Sequence, residues 1–119
     1  MNAWIGVAAC YGATGVVLGA FGAHALETRL DSASLDSWST AVQYHLLHAA
    51  VLLALGLHAL RSGRAVSLPA ALFSLGIALF SGSIYLLVFT RQPWLGPLTP
   101  LGGLCLIGGW LTLPSVARK

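Results

Sequence analysis

Charge is what this sequence has least of. Six Lys or Arg and three Asp or Glu supply 8% of its 119 residues, against roughly a quarter in an ordinary soluble domain. So few charges cannot cover a water-facing surface, which excludes a freely soluble globule. Cysteine is scarce as well. Cys10 and Cys105 lie in apolar stretches, where a free thiol behaves as a small hydrophobe, and no Cys-x-x-Cys pair points to a metal site. Catalytic signatures are missing: there is no HExxH, no glycine-rich phosphate loop with a lysine, and no Ser, His and carboxylate set at membrane depth. An enzyme is not expected. The six basic residues are dispersed and form no patch, so the net charge of +3 implies attraction to anionic lipid rather than to nucleic acid.

Apolar sequence is what the chain has instead, at 57% of residues. The charges fall in four short patches, Glu27 to Asp36, Arg61 to Arg64, Arg91, and Arg118 with Lys119. Between them lie four uncharged stretches, Met1 to Leu26, Ser37 to Leu60, Ala65 to Thr90 and Gln92 to Ala117. Each exceeds the roughly 20 residues needed to cross about 30 Å of hydrocarbon as a helix. Lipid offers the backbone no hydrogen-bond partner, so a spanning chain must be helical or a closed barrel, and these continuous Leu, Ala, Gly and Val runs lack barrel alternation. The expected fold is an all-α integral membrane four-helix bundle with short connections, a single transmembrane domain over residues 1–119. Its helices are expected at about 3–26, 35–60, 68–90 and 99–116. A cleavable signal peptide is the alternative for the first stretch, because Ala23-His24-Ala25 has a small-x-small pattern. No basic residue precedes Glu27, however, and the apolar run is too long for one.

Four crossings put both termini on one side. That side carries Arg61, Arg64, Arg118 and Lys119, against Arg29 and Arg91 on the other, so the termini are expected in the cytoplasm. Trp4 and Trp110 are expected at one interface and Trp38 and Trp94 at the other, as an aromatic belt. Ser34 is the expected N-cap of the second helix, with Asp36 in its first turn; Ser67 is expected to cap the third, and Thr99, followed by Pro100, the fourth. If Pro114 ends the fourth helix, that helix is short for the bilayer. On the first helix Gly12, Gly15, Gly19 and Gly22 fall within an arc of roughly 80°, and Gly15 with Gly19 forms a GxxxG. Such a face packs closely, either on a neighbouring helix of the same chain or on a second molecule.

The polar residues within the spans that stand out are His24, Gln43, Tyr44, His45, His48, Ser81, Ser83 and Tyr85. Followed along alternating helices they converge on one leaflet, the extracytoplasmic one. Ionisable groups inside a membrane are by default candidates for function. The same residues also serve as interhelical hydrogen-bond ties, and both readings stand at this stage. His45 and His48, three residues apart, could reach a metal, yet no carboxylate shares their face. Haem held by histidines of two helices is a further alternative, weakened because His24 lies opposite the glycine face and near a helix end. His58 is expected at an interface.

Four segments carry a resemblance: Leu18-Gly-Ala-Phe-Gly-Ala-His-Ala-Leu26, Thr40-Ala-Val-Gln-Tyr-His-Leu-Leu-His-Ala49, Phe80-Ser-Gly-Ser-Ile-Tyr-Leu-Leu87, and Leu98-Thr-Pro-Leu-Gly-Gly103 with Gly109-Trp110. In these the chain resembles the YgdD-like family of small bacterial inner-membrane proteins of unknown function. The resemblance implies four helices and a multi-pass location in the cell inner membrane, and it implies no activity. It carries over to His24, Gln43, Tyr44, His45, His48, Ser81, Ser83, Tyr85, Thr99 and Pro100. Arg91 departs from it, standing where a small residue such as glycine is expected.

The resulting expectation is a non-enzymatic accessory protein with no cofactor and no bound metal. It would act in the lipid bilayer as a homo-oligomer or as a subunit of a larger membrane complex, docking through the glycine face of the first helix. Binding or transport of a small solute, proton or lipid through the polar cluster is the alternative, and a haem or metal carrier a lesser one.

Overall fold

The structure, a computed structural model, describes residues 3–117. Arg118 and Lys119, half of the basic residues that set the expected orientation, lie outside the described residues. The chain folds into α1 (Ala3–His24), α2 (Ser32–Ser62), α3 (Ser67–Thr90) and α4 (Leu98–Thr112). Short 3₁₀ segments over Pro93–Leu95 and Leu113–Ala117 flank α4. The described residues include no strand. α1, α2, α3 and the Pro93–Ala117 segment are each long and apolar enough to cross a membrane, and the molecule is 51 Å long. It is an all-α, four-helix membrane protein.

Exposed leucines and valines cover its flanks, among them Val17, Leu57, Leu86 and Leu111. In water that surface would be untenable, but lipid tails are as apolar as leucine, so outward-facing aliphatic side chains lose nothing there.

Helix ends differ from the sequence expectation where capping is decided by geometry. α2 begins at Ser32, and its cap is Asp31 rather than Ser34: the Asp31 carboxylate accepts from the Ser34 backbone N–H at 2.9 Å. The Ser34 hydroxyl first, and then that N–H, hold the Asp31 carboxyl below its ordinary value. Asp36 therefore sits beyond the first turn. At the other end Gly63 adopts φ 71°, a left-handed conformation that needs no side chain, and its N–H closes the helix on Ala59. Ser67 and Thr99 are not caps but helical residues, one position inside α3 and two inside α4. α1 stops at His24, two residues early, because the chain then turns to bury Leu26 beneath Trp38 and Val88. α4 spans 15 α-helical residues, about 22 Å, and the expected stop near Pro114 becomes a 3₁₀ extension that lengthens the span. His58, four residues from the end of α2, secures that extension by hydrogen bonding to the Val116 carbonyl at 3.2 Å.

Consecutive helices pack antiparallel, α1 on α2, α2 on α3 and α3 on α4, whereas α1 and α4 make no substantial contact. The centre of the bundle is formed by Leu52 and Leu55 of α2 with Ala70, Phe73 and Ile77 of α3, closed by Ala8 from α1 and Leu106 from α4. Close approach depends on glycine at both lateral seams. Gly15, Gly19 and Gly22 lie against Leu46, Val42 and Trp38 of α2, and Gly56 of α2 receives Ile5. Gly12 is not part of this seam, since a side chain there would meet open space. On the other flank Gly102 meets the α3 backbone at Leu79 and Phe80, Gly76 meets Leu106, and Gly109 meets Phe73. The Gly15-x-x-x-Gly19 face therefore packs on α2 within the chain.

Candidate functional site: polar ties between helices

His45 and His48 lie near the middle of the 31-residue α2. Both are buried, as are Ser81 and Ser83 of α3. These side chains do not form one cluster. They form separate ties, each between different helices.

The first tie crosses three helices. Tyr85 of α3 lies 3.0 Å from His45 Nδ1, and His45 Nε2 lies 3.2 Å from Thr14 Oγ1 of α1. The Thr14 hydroxyl has one proton, and its geometry directs that proton to the helix carbonyls of Cys10 and Tyr11, at 2.9 and 3.1 Å. Thr14 must then accept from His45 Nε2–H, which leaves Nδ1 to accept from the Tyr85 hydroxyl. The assignment follows from the donor inventory. The result is a chain of hydrogen bonds of one direction running from Tyr85 through His45 to Thr14.

The second tie requires the opposite tautomer. Trp110 of α4 donates its indole N–H to His48 Nε2 at 3.1 Å, and an indole nitrogen cannot accept. His48 therefore carries its proton on Nδ1, which donates to the Tyr44 carbonyl at 2.7 Å. Tyr44 contributes this carbonyl rather than its hydroxyl; its ring packs on Phe80, centroids 4.7 Å apart.

Serines make the remaining ties. Ser81 donates to the Ala41 carbonyl of α2 at 2.7 Å. Ser83 donates to Phe80 and, at 2.6 Å, pairs with Thr99 of α4. Each interhelical bond of this kind contributes about 0.6 kcal/mol, at most about 1.7. His24 and Gln43 stand apart from all of this. His24 is exposed at the end of α1, and exposed Gln43 reaches only Ser39 on its own helix, at 3.4 Å.

Both rings of the buried histidines have both nitrogens engaged. A metal or haem iron would have to displace Tyr85, Thr14, Trp110 or the Tyr44 carbonyl to reach one. Among the described residues no three His, Cys, Asp or Glu side chains come close enough to hold a metal ion.

Four partners escaped the sequence reading: Tyr11, which donates to the Ser74 carbonyl at 2.7 Å, Thr14, Trp38 and Trp110. The two tryptophans are not simple belt residues. Trp38 is 3% exposed and donates to the Leu18 carbonyl at 2.9 Å, while Trp110 turns its N–H inward. The available signal was that a Trp N–H facing a bundle must find an acceptor, and that His48 offers one.

Comparison with known proteins agrees with this architecture. Residues 18–103 match the family described as protein of unknown function (DUF423). The UPF0382 membrane protein YwdK of Bacillus subtilis is 42% identical over 106 residues, covering 87% of this chain and 86% of that protein. A UPF0382 membrane protein of Haemophilus influenzae is 36% identical over 112 residues, covering 94% and 90%. The UPF0382 membrane protein C1782.12c of Schizosaccharomyces pombe is 40% identical over 119 residues, covering 95% and 98%, so the likeness extends beyond bacteria. No solved structure matches the chain. A chain that matches the family over residues 18–103 and is 36–42% identical to these membrane proteins over most of its length belongs to the DUF423 family of membrane proteins of unknown function.

Proposed function

We propose that the protein is a non-enzymatic accessory protein of the cell inner membrane, with its termini in the cytoplasm, that associates through its lipid-facing surface with copies of itself or with a larger membrane complex. One observation carries this reading: the buried polar side chains His45, His48, Ser81 and Ser83 are consumed in hydrogen bonds within the bundle. The connections between helices are too short to hold a site of their own. What remains for recognition is the outer surface of the helices, above all α1 and α4, which flank the bundle without closing on each other. The outer face of α1 presents Gly6, Cys10 and Thr14 at successive intervals of four, a small-residue spacing that permits close helix approach.

The test is native mass spectrometry of the protein gently extracted from its host membrane. A discrete oligomer or a retained second polypeptide is expected, and Gly6→Leu should weaken it without unfolding the chain, since a side chain at Gly6 meets nothing within 4 Å. A bare monomer carrying only exchangeable lipid would sink the association reading.

The Tyr85–His45–Thr14 chain favours a second reading, movement or binding of a proton, small solute or lipid through the polar residues of the outer leaflet, because its hydrogen bonds share one direction across three helices. In reconstituted vesicles His45→Leu with His48→Leu should then abolish flux. Unchanged flux by a folded double variant would rule this reading out.

A further inference from the structure

The end of the bundle that carries the α1–α2 and α3–α4 connections distributes its charges over three clefts, and Asp31 shares one of these with Arg91, between α2 and α3. Glu27 and Asp36 line a cleft between α1 and α2. Arg29 and Arg91 line a different one, of about 490 Å³, between the end of α1 and the end of α3. Beside the arginines, Phe21 and Leu26 from the α1 side and Val88 and Phe89 from α3 supply its apolar part. Both basic residues at this end of the bundle thus share one cleft of mixed polar and apolar lining.

Among the described residues neither Arg29 nor Arg91 makes a side-chain hydrogen bond or ion pair. Asp31 feels the charge of Arg91 from a distance, but its carboxylate is already bound to the Ser34 N–H. α1 and α3 both end beside the cleft, and their carbonyl ends carry partial negative charge that by itself would repel an anion. The arginines reverse that balance. Arg91 does so in a conformation that favours another residue: at φ 54° it is the one non-glycine residue with positive φ among the described residues. Glycine takes this conformation freely, whereas an L side chain is hindered in it. The backbone here calls for the small residue that the family resemblance leads one to expect, and this chain carries an arginine instead.

We infer that the cleft between α1 and α3 binds the headgroup of an anionic phospholipid, with its phosphate between Arg29 and Arg91 and its acyl chains along Phe21 and Phe89. Guanidinium forks match phosphate oxygens in geometry and charge. The volume falls within the range of ordinary ligand sites. The occupant is a lipid rather than a free anion because the cleft continues from the arginines onto aromatic side chains, Phe21 and Phe89, that are 45% and 56% exposed on the lipid-facing flank. Two interfacial arginines acting only as diffuse anchors would attract anionic lipid without stoichiometry. A shared cleft retains one lipid per chain.

The experiment is native mass spectrometry of the full chain released from bilayer discs containing phosphatidylglycerol and phosphatidylcholine in equal amounts. One phosphatidylglycerol per chain should be retained in preference to phosphatidylcholine. Arg29→Ala and Arg91→Gly should each lower that retention about fivefold, and together roughly twenty-five-fold, as expected for basic residues near an anionic surface. Arg91→Gly relieves the left-handed backbone, so its thermal midpoint should be unchanged or higher while lipid is lost, which separates binding from folding. Glu27→Gln with Asp36→Asn, in the other cleft, should leave retention as it is. Equal retention of the two lipids, or unaltered retention by the folded double arginine variant, would overturn the proposal. Displacement of the lipid by millimolar inorganic phosphate would do so too, by showing that the site reads a free phosphate.

Discussion

Gly102→Leu should separate α4 from α3 and unfold that half of the protein. Gly102 is the point of closest approach between the two helices. A Cβ there meets backbone atoms, the Phe80 nitrogen and the Leu79 carbonyl carbon, instead of the movable end of a side chain. Backbone cannot give way without shifting a whole helix, and the shift would pull Leu106 away from Gly76 and Phe73 away from Gly109. Even Gly102→Ala should cost about 1–3 kcal/mol, the usual range for overpacking a tight site. The adjacent Gly103 is the control. A Cβ at that position meets only the Phe80 ring at 3.8 Å, an ordinary contact, so Gly103→Ala should stay within about 0.5 kcal/mol of the parent. Unfolding in mixed micelles by denaturing detergent, followed by circular dichroism, measures both. Equal stability of the two alanine variants would mean that α3 and α4 do not meet at Gly102.

Trp38→Ala should cost about 3 kcal/mol, the order seen when a large aromatic is removed from a packed site. The indole lies over Gly22, where a Cβ would collide with it, and among the rings of Tyr85 at 4.7 Å and Phe89 at 5.5 Å. It joins α1, α2 and α3 at the connection end, above the plug formed by Leu26. Trp38→Phe keeps much of this packing and loses the bond to the Leu18 carbonyl, so it should cost only about 1 kcal/mol. Reading the two variants by the same detergent titration distinguishes a packed residue from an interfacial anchor. If Trp38→Ala were as mild as Trp38→Phe, Trp38 would be an anchor after all.

How far the polar groups could be read from sequence follows from the same contrast. His45, His48, Ser81, Ser83 and Tyr85 were recognisable because a polar side chain inside an apolar run must be satisfied somewhere. Their partners were not. Thr14 was hidden beside the glycine seam, Trp110 looked like a membrane-interface residue, and His24 and Gln43 belong to the same motifs as the buried residues yet face outward. Periodicity placed Gly12 on the packing face with Gly15, Gly19 and Gly22, but a side chain at Gly12 meets open space, although α1 stays against α2 as far as Ile5 and Gly56.

Four apolar spans, helical secondary structure and the approximate place of each turn were determined by the sequence alone. These depend on the transfer of residues from water to lipid and on backbone hydrogen bonding within one segment, which are sums over neighbouring residues. Tertiary structure alone decided which glycines meet a helix, which tautomer each histidine holds, that the Gly15 face is closed, and that Arg29 and Arg91 share a cleft. Those properties depend on the register between segments far apart in the chain, where a shift of a single residue exchanges one partner for another.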